Sequence, residues 1–471
     1  MAPGSDAALD ARAEEPRDAW LDPRFDAFAE PRDAREVLGD AWALEDAWAP
    51  DALAAPDALA APDARAAPDA FTPGDAGCAS SCSADGTSAI DCRGMSRPCP
   101  STVCGSTAAR PEPHCLELVP SNTPAGYAVS TDRGAIDAVF PAGSFAWDTS
   151  RCRRDDLRIG SRQFHDSQVG AATVGGVEVC IVGARRFAFD PGTRLYVRGD
   201  LPLVLVAAES FVLPSGAIVD VSSFNDPRDC SRTVQVGPGA RAAGPGVGGD
   251  GRAATAEFGD GGAGGGGFCG LGGPGGTGNL VSGAAGGARA ASALVPLVGG
   301  FRGGRGSPDR EGGAGGAGGG ALQISAPRLT LEGTIDARGQ SGRGGAPTGS
   351  GGGGGSGGGV HLETLVLDAS GGLIDVRGGG GGGGADRDRA AQCGGLEAPP
   401  DPQSGGEGAS RGGDGAAGSS VDGQAGDNGF NGGGGGGGAG CVVIRQSGAA
   451  EGPDTAPSAD GVLATLPPEV R

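Results

Sequence analysis

The chain has 471 residues, of which 99 are glycine, 34 proline and only 4 % aromatic, so long stretches lack the side chains whose burial offsets conformational entropy. One packed core is expected rather than several. The net charge is −21 and lysine is absent, which excludes the basic face that nucleic-acid binding needs and removes Walker A loops, Schiff-base lysines and serine–lysine hydrolases.

Residues 1–76 carry 18 acidic and 6 basic side chains, more than half of the net negative charge. Within them Ala-Pro-Asp-Ala begins at Ala49, Ala55, Ala61 and Ala67, a six-residue period whose prolines exclude helix and predict a self-repelling, disordered acidic spacer. The stretch Arg32 to Trp48 reads either as one short helix or as more of the same arm. Residues 1–30 show no basic segment followed by an apolar one, so a secretory signal is not visible, and either a start further upstream or non-standard export is expected. No run of 18 apolar residues occurs, and no membrane span is expected.

Residues 77–116 hold Cys78, Cys82, Cys92, Cys99, Cys104 and Cys115 among Ser, Gly, Asp and Pro. So little apolar filler predicts a small module held by disulfides, which implies an oxidising compartment. Zinc is the rival, against which stand the absence of any C-x-x-C pair and the single histidine, His114, in the cluster. Residues 117–173 read as a cap or linker.

From Val174 to residue 445 the apolar residues alternate in short bursts. Val179-x-Ile181, Phe187-x-Phe189, Leu195-x-Val197, Leu203-x-Leu205, Phe211-x-Leu213 and Val219-x-Val221 start eight residues apart. Three bursts return at Leu322-x-Ile324, Leu329-x-Leu331 and Ile335-x-Ala337, three more at Val360-x-Leu362, Leu365-x-Leu367 and Ile374-x-Val376, and Val442 to Ile444 starts another. The pattern predicts an all-β chain, a three-sided parallel β-helix (β-solenoid) with its first-burst residues Val179, Leu203, Leu322 and Leu362 buried. Glycine-rich insertions at 223–319, 340–358 and 379–440 each follow a third burst, and are expected outside the core as one flexible face; 446–471 reads as a disordered tail.

Candidate chemistry is sparse. Gly354-Gly355-Ser356-Gly357-Gly358 matches the nucleophile-elbow pattern but lies in polyglycine, without the strand and helix that the elbow requires. The histidines are His114, His165 and His361; the last, between inward-facing Val360 and Leu362, is expected on the surface. Asp155 and Asp156 read as a charged loop behind Arg153 and Arg154. Stacked bursts would align Asp220, Asp336 and Asp375 on an outer face, with Arg338 and Arg377 bridging them and keeping the carboxylates ionised. Calcium is the second choice for this ladder, prompted by Asp-Gly steps at Asp250, Asp260, Asp414 and Asp422. No catalytic, cofactor-binding or metal-binding residue is assigned.

The segments Ala321 to Gly339 and Gly359 to Gly378, in which Ile-Asp-Ala-Arg-Gly and Ile-Asp-Val-Arg-Gly separate polyglycine tracts, resemble glycine-rich, cysteine-containing surface proteins of myxobacterial type. The glycine-rich regions of the mycobacterial PE-PGRS proteins are a looser likeness. The resemblance implies export or lipid anchoring and no established activity, and heavy use of residues with GC-rich codons agrees with a bacterial source. The expected function is a non-catalytic, cell-surface or secreted structural or adhesin-like protein that presents a glycine-rich face to a surface polymer or protein. The alternative is a carbohydrate-active β-helix, a lyase or hydrolase, in which acids and an arginine or histidine converge in a groove.

Overall fold

The structure, a computed structural model, describes residues 80–466 apart from short internal segments, the longest being 447–457. The acidic spacer 1–76 with its repeats and expected helix, Cys78 and His165 lie outside the described residues, as does most of the tail.

The strands of the main body are β1 (Asp137–Phe140), β2 (Gly143–Asp148), β3 (Val169–Val174), β4 (Val177–Phe189), β5 (Thr193–Arg198), β6 (Leu203–Leu213) and β7 (Ile218–Asp220). They continue as β8 (Ala321–Leu331), β9 (Thr334–Asp336), β10 (Gly359–Asp368), β11 (Leu373–Asp375), β12 (Cys441–Gln446), β13 (Ser458–Asp460) and β14 (Val462–Leu466). Sheet A has the order β3-β4-β6-β8-β10-β12-β14, with β1 pairing the second half of β4; sheet B has the order β2-β5-β7-β9-β11-β13. Every pair is parallel except the β3–β4 hairpin. Among the described residues no α-helix occurs.

This arrangement corrects the expected β-helix. Two large parallel sheets are present where three sides were predicted, because the first two bursts of each group belong to one long strand: Leu322-x-Ile324 and Leu329-x-Leu331 both lie in β8. The anticipated corner is instead a shift of register within the strand, between Ala184 and Arg186 in β4 and between Val206 and Ser210 in β6. A second correction concerns phase. Cys180 pairs with Leu203 and Val182 with Leu205, so Val179 and Ile181 stand on the opposite face from the one their spacing suggested.

Both faces of sheet A are nevertheless buried, as expected for parallel strands that read as continuous apolar runs. One face joins Val182, Leu203, Leu205, Leu322, Ile324, Val360 and Leu362 to Leu195, Val219, Ile335 and Ile374 of sheet B in the main core. The other carries Val179, Ile181, Val204 and Val443 against Phe268, Leu294, Leu297 and Phe301 of the first glycine-rich block.

The glycine-rich blocks are not outside. Their tracts leave sheet B, return into sheet A, and bond to one another with a period of three residues. In 261–267 the N–H groups of Gly262 and Gly265 donate to Gly276 and Gly273, those of Ala263 and Gly266 to Gly351 and Gly354, and those of Gly264 and Gly267 to Gly249 and Gly246. Three residues per turn with no internal hydrogen bonds is the polyproline-II type of helix. Tract 349–358 donates to 432–438, 337–343 and 301–304 and accepts from 263–266, 313–319 and 379–382, which makes six neighbours. Helices surrounded by six others leave no room for a side chain: a methyl group at Gly353, Gly354 or Gly355 would meet the main-chain carbonyl of Gly264, Gly379 or Ala317. On the outside the third positions carry side chains and are exposed, as at Leu271, Pro274 and Thr277 and at Ser282, Ala285 and Ala288.

Four disulfides occur among the described residues. Cys82–Cys104 and Cys99–Cys115 close the cysteine-rich module, whose strands are no longer than three residues. Cys152–Cys180 ties the segment after β2 to β4, and Cys269–Cys441 ties the first glycine-rich block to β12. Among the described residues no helix is long and apolar enough to cross a membrane.

Candidate functional site

Two buried polar clusters stand out, one on each sheet. In sheet B the β7, β9 and β11 strands pair with Asp220 opposite Asp336 and Asp336 opposite Asp375, so the carboxylate ladder forms; the backbone register continues to Asp460. The ladder is buried, not on an outer face. Arg338 donates from Nε to Asp336 Oδ1 at 2.9 Å and from Nη2 to Oδ2 at 2.6 Å, and lies 3.4 Å from Asp375. Arg377, fully buried, grips Asp375 through Nε at 2.9 Å and Nη2 at 2.7 Å. The expected arginine bridging is therefore present.

Asp220 departs from the expectation that every carboxylate stays ionised. Two residues after Asp336 and Asp375 comes an arginine, but two after Asp220 comes Ser222, whose N–H and Oγ donate to Asp220 Oδ1 at 3.1 and 2.7 Å. Burial, reinforced by the Asp336 charge, pushes the Asp220 carboxyl up to about 7 against the weaker pull of Ser222 and Arg338.

The second cluster lies on the outer face of sheet A. Register places Gln323 beside His361, and in the next outward row Ser325 beside Glu363 beside Arg445. Pleating does turn His361 away from the main core, as its neighbours Val360 and Leu362 require, but the residue is fully buried and not a surface histidine. What covers it is the strap 116–127 and the 294–297 loop, which no local pattern announces. Asn122 is the bracket: its Nδ2 donates to Leu294 O at 2.8 Å and Gln323 Oε1 at 2.6 Å, and its Oδ1 accepts from Leu297 N at 2.9 Å. Glu363 Oε2 accepts from Gln323 Nε2 at 2.9 Å, Ser325 Oγ at 2.8 Å and Ser121 N at 3.1 Å. Glu363 Oε1 lies 3.7 Å from His361 Nε2 and 4.0 Å from Arg445 Nη1, and Oε1, His361 Nε2 and Arg445 Nε have no hydrogen-bond partner. Burial first, and the Arg445 charge second, hold His361 down to about 3; burial raises Glu363.

The other residues singled out in the sequence stay apart from both clusters. Ser356 is buried inside a glycine tract, its Oγ accepting from Phe301 N at 2.9 Å. Asp155 and Asp156 sit in the 3-10 turn Arg154–Asp156, and His114 Nδ1 lies 2.8 Å from Glu112 O. The Asp-Gly aspartates serve the lattice itself: Asp250, Asp260, Asp414 and Asp422 accept from the main-chain N–H groups of Arg305, Ala254, Gly405 and Leu271. No group of three or more His, Cys, Asp or Glu able to hold a metal occurs among the described residues. Compared with known proteins, the chain matches no family model, no curated protein and no solved structure.

Proposed function

We propose that this chain is an exported, non-catalytic structural or adhesin-like protein, which meets a surface polymer or protein through the outside of its glycine lattice. The observation that carries the reading is the division of labour inside the lattice: interior positions are glycine because side chains cannot fit, while outward third positions bear Leu271, Pro274, Thr277, Ser282, Ala285 and Ala288 on a rigid support. Four disulfides favour an oxidising, extracellular location. The resemblance to glycine-rich bacterial surface proteins belongs to the same proposal.

A second reading, a carbohydrate-active protein, draws on Asp220, whose carboxyl near 7 has the affinity for a proton that a general acid needs. One experiment separates the two. Purified protein is incubated with a panel of acidic and neutral polysaccharides, and both retention and release of cleavage products are measured. Retention without cleavage supports the structural reading; cleavage abolished by Asp220→Asn, Asp336→Asn or Asp375→Asn overturns it.

A further inference from the structure

We propose that the strap 116–127 is an acid-released latch, held shut over sheet A by the neutral imidazole of His361. The strap contributes Leu116 and Leu118, packed on Leu365 and Val366, and the polar pair Ser121 and Asn122, and it closes a site in which His361 and Glu363 are fully buried. Every group facing His361 bears on its charge. From its own strand comes Glu363, from β12 comes Arg445, from β8 come neutral Gln323 and Ser325, and the strap and the 294–297 loop bring only the neutral Ser121, Asn122 and main-chain groups. The geometry fits one cation and one anion, Arg445 and Glu363. A protonated His361 would add a second cation to a site closed off from bulk solvent, beside Arg445.

Opening the strap returns His361 to solvent and to its ordinary affinity for protons, so acid favours the open form. The sign follows from linkage: a base whose pKa is lowered in the closed form stabilises closure fully above its ordinary value of 6.5, and loses that contribution as pH falls toward about 3. At pH 4.5 the two values imply an opening constant about 100-fold larger than at neutral pH. Glu363, raised in the closed site, works in the opposite direction and reduces this figure, so Glu363→Gln should shift opening toward higher pH.

The test is amide hydrogen exchange on the whole protein between pH 7.5 and 4.5, corrected for intrinsic exchange. Protection in 116–127 is expected to fall at least about tenfold by pH 4.5, while tract 349–358 stays protected and His361→Asn flattens the response. A strap whose protection is unchanged by acid, or falls equally in His361→Asn, overturns the latch. Should that variant fail to fold, imidazole NMR of the unaltered chain decides: with three histidines in the sequence, one ring must titrate below its ordinary value of 6.5, together with the loss of protection in the strap, and three rings titrating near 6.5 overturn the proposal.

Discussion

At the scale of single residues, the carboxylate ladder shows how much one side chain in an aligned row can change. Asp336 and Asp375 each have an arginine two positions on, whereas Asp220 has a serine, and burial beside the Asp336 charge pushes the Asp220 carboxyl up to about 7. A carboxyl raised in the folded state is best tolerated when protonated, so its contribution to stability is present below its ordinary value of 3.8 and is lost as pH rises through about 7. Asp220→Asn is therefore expected to flatten the fall in stability between pH 4 and pH 8, measured by urea unfolding. Arg377 gives a contrasting case. Removing this buried guanidinium in Arg377→Ala leaves Asp375 with only the 3.4 Å contact to Arg338 and should cost about 3 kcal/mol; the same change at Arg338, part of whose side chain reaches solvent, should cost less. The ladder was legible because Ile-Asp-x-Arg-Gly occurs twice at matching positions. Its burial was not, and neither was that of His361, whose covering residue Asn122 lies 239 positions away in sequence.

At the scale of elements, alternation identified β4 to β12, because each first or second burst is half of a long strand and each third burst a short strand of sheet B, but it missed β1, β2 and β3 in the stretch read as a cap or linker and β13 and β14 in the stretch read as a disordered tail. It failed at corners: period-two spacing is the same on both sides of a register shift, so a bent strand and two separate strands look alike. The glycine tracts carried a signal of their own in a period of three, seen in Gly-Leu-Gly-Gly-Pro-Gly-Gly-Thr-Gly at 270–278, where side chains mark the outer face. The period distinguishes interior from exterior substitutions. Gly354→Ala should destabilise by about 1–3 kcal/mol, toward the upper end because its obstacle is main chain. Thr277→Ala, on the exposed face, should stay within about 0.5 kcal/mol. Thermal unfolding of the two variants side by side tests whether the tracts are as rigid as their bonding implies.

For the molecule as a whole, sheets and glycine lattice share covalent as well as hydrogen-bonded ties. Cys269–Cys441 closes a loop of 172 residues, and in a chain-entropy view replacing both cysteines by serine costs up to about 5 kcal/mol, which denaturant unfolding of the variant would reveal. The lattice also constrains the order in which the chain can assemble. Gly266 donates to Gly354 and Gly354 to Gly435, so a tract at the centre of the lattice cannot be completed until segments nearly a hundred residues to either side have been delivered. Glycine has little local preference to hold such a tract in readiness, and contacts this distant in sequence form slowly. Completion of the lattice is therefore expected to follow the pairing of the apolar strands, and pulsed hydrogen exchange during refolding would check it: tract 349–358 should gain protection after β4, β6 and β8.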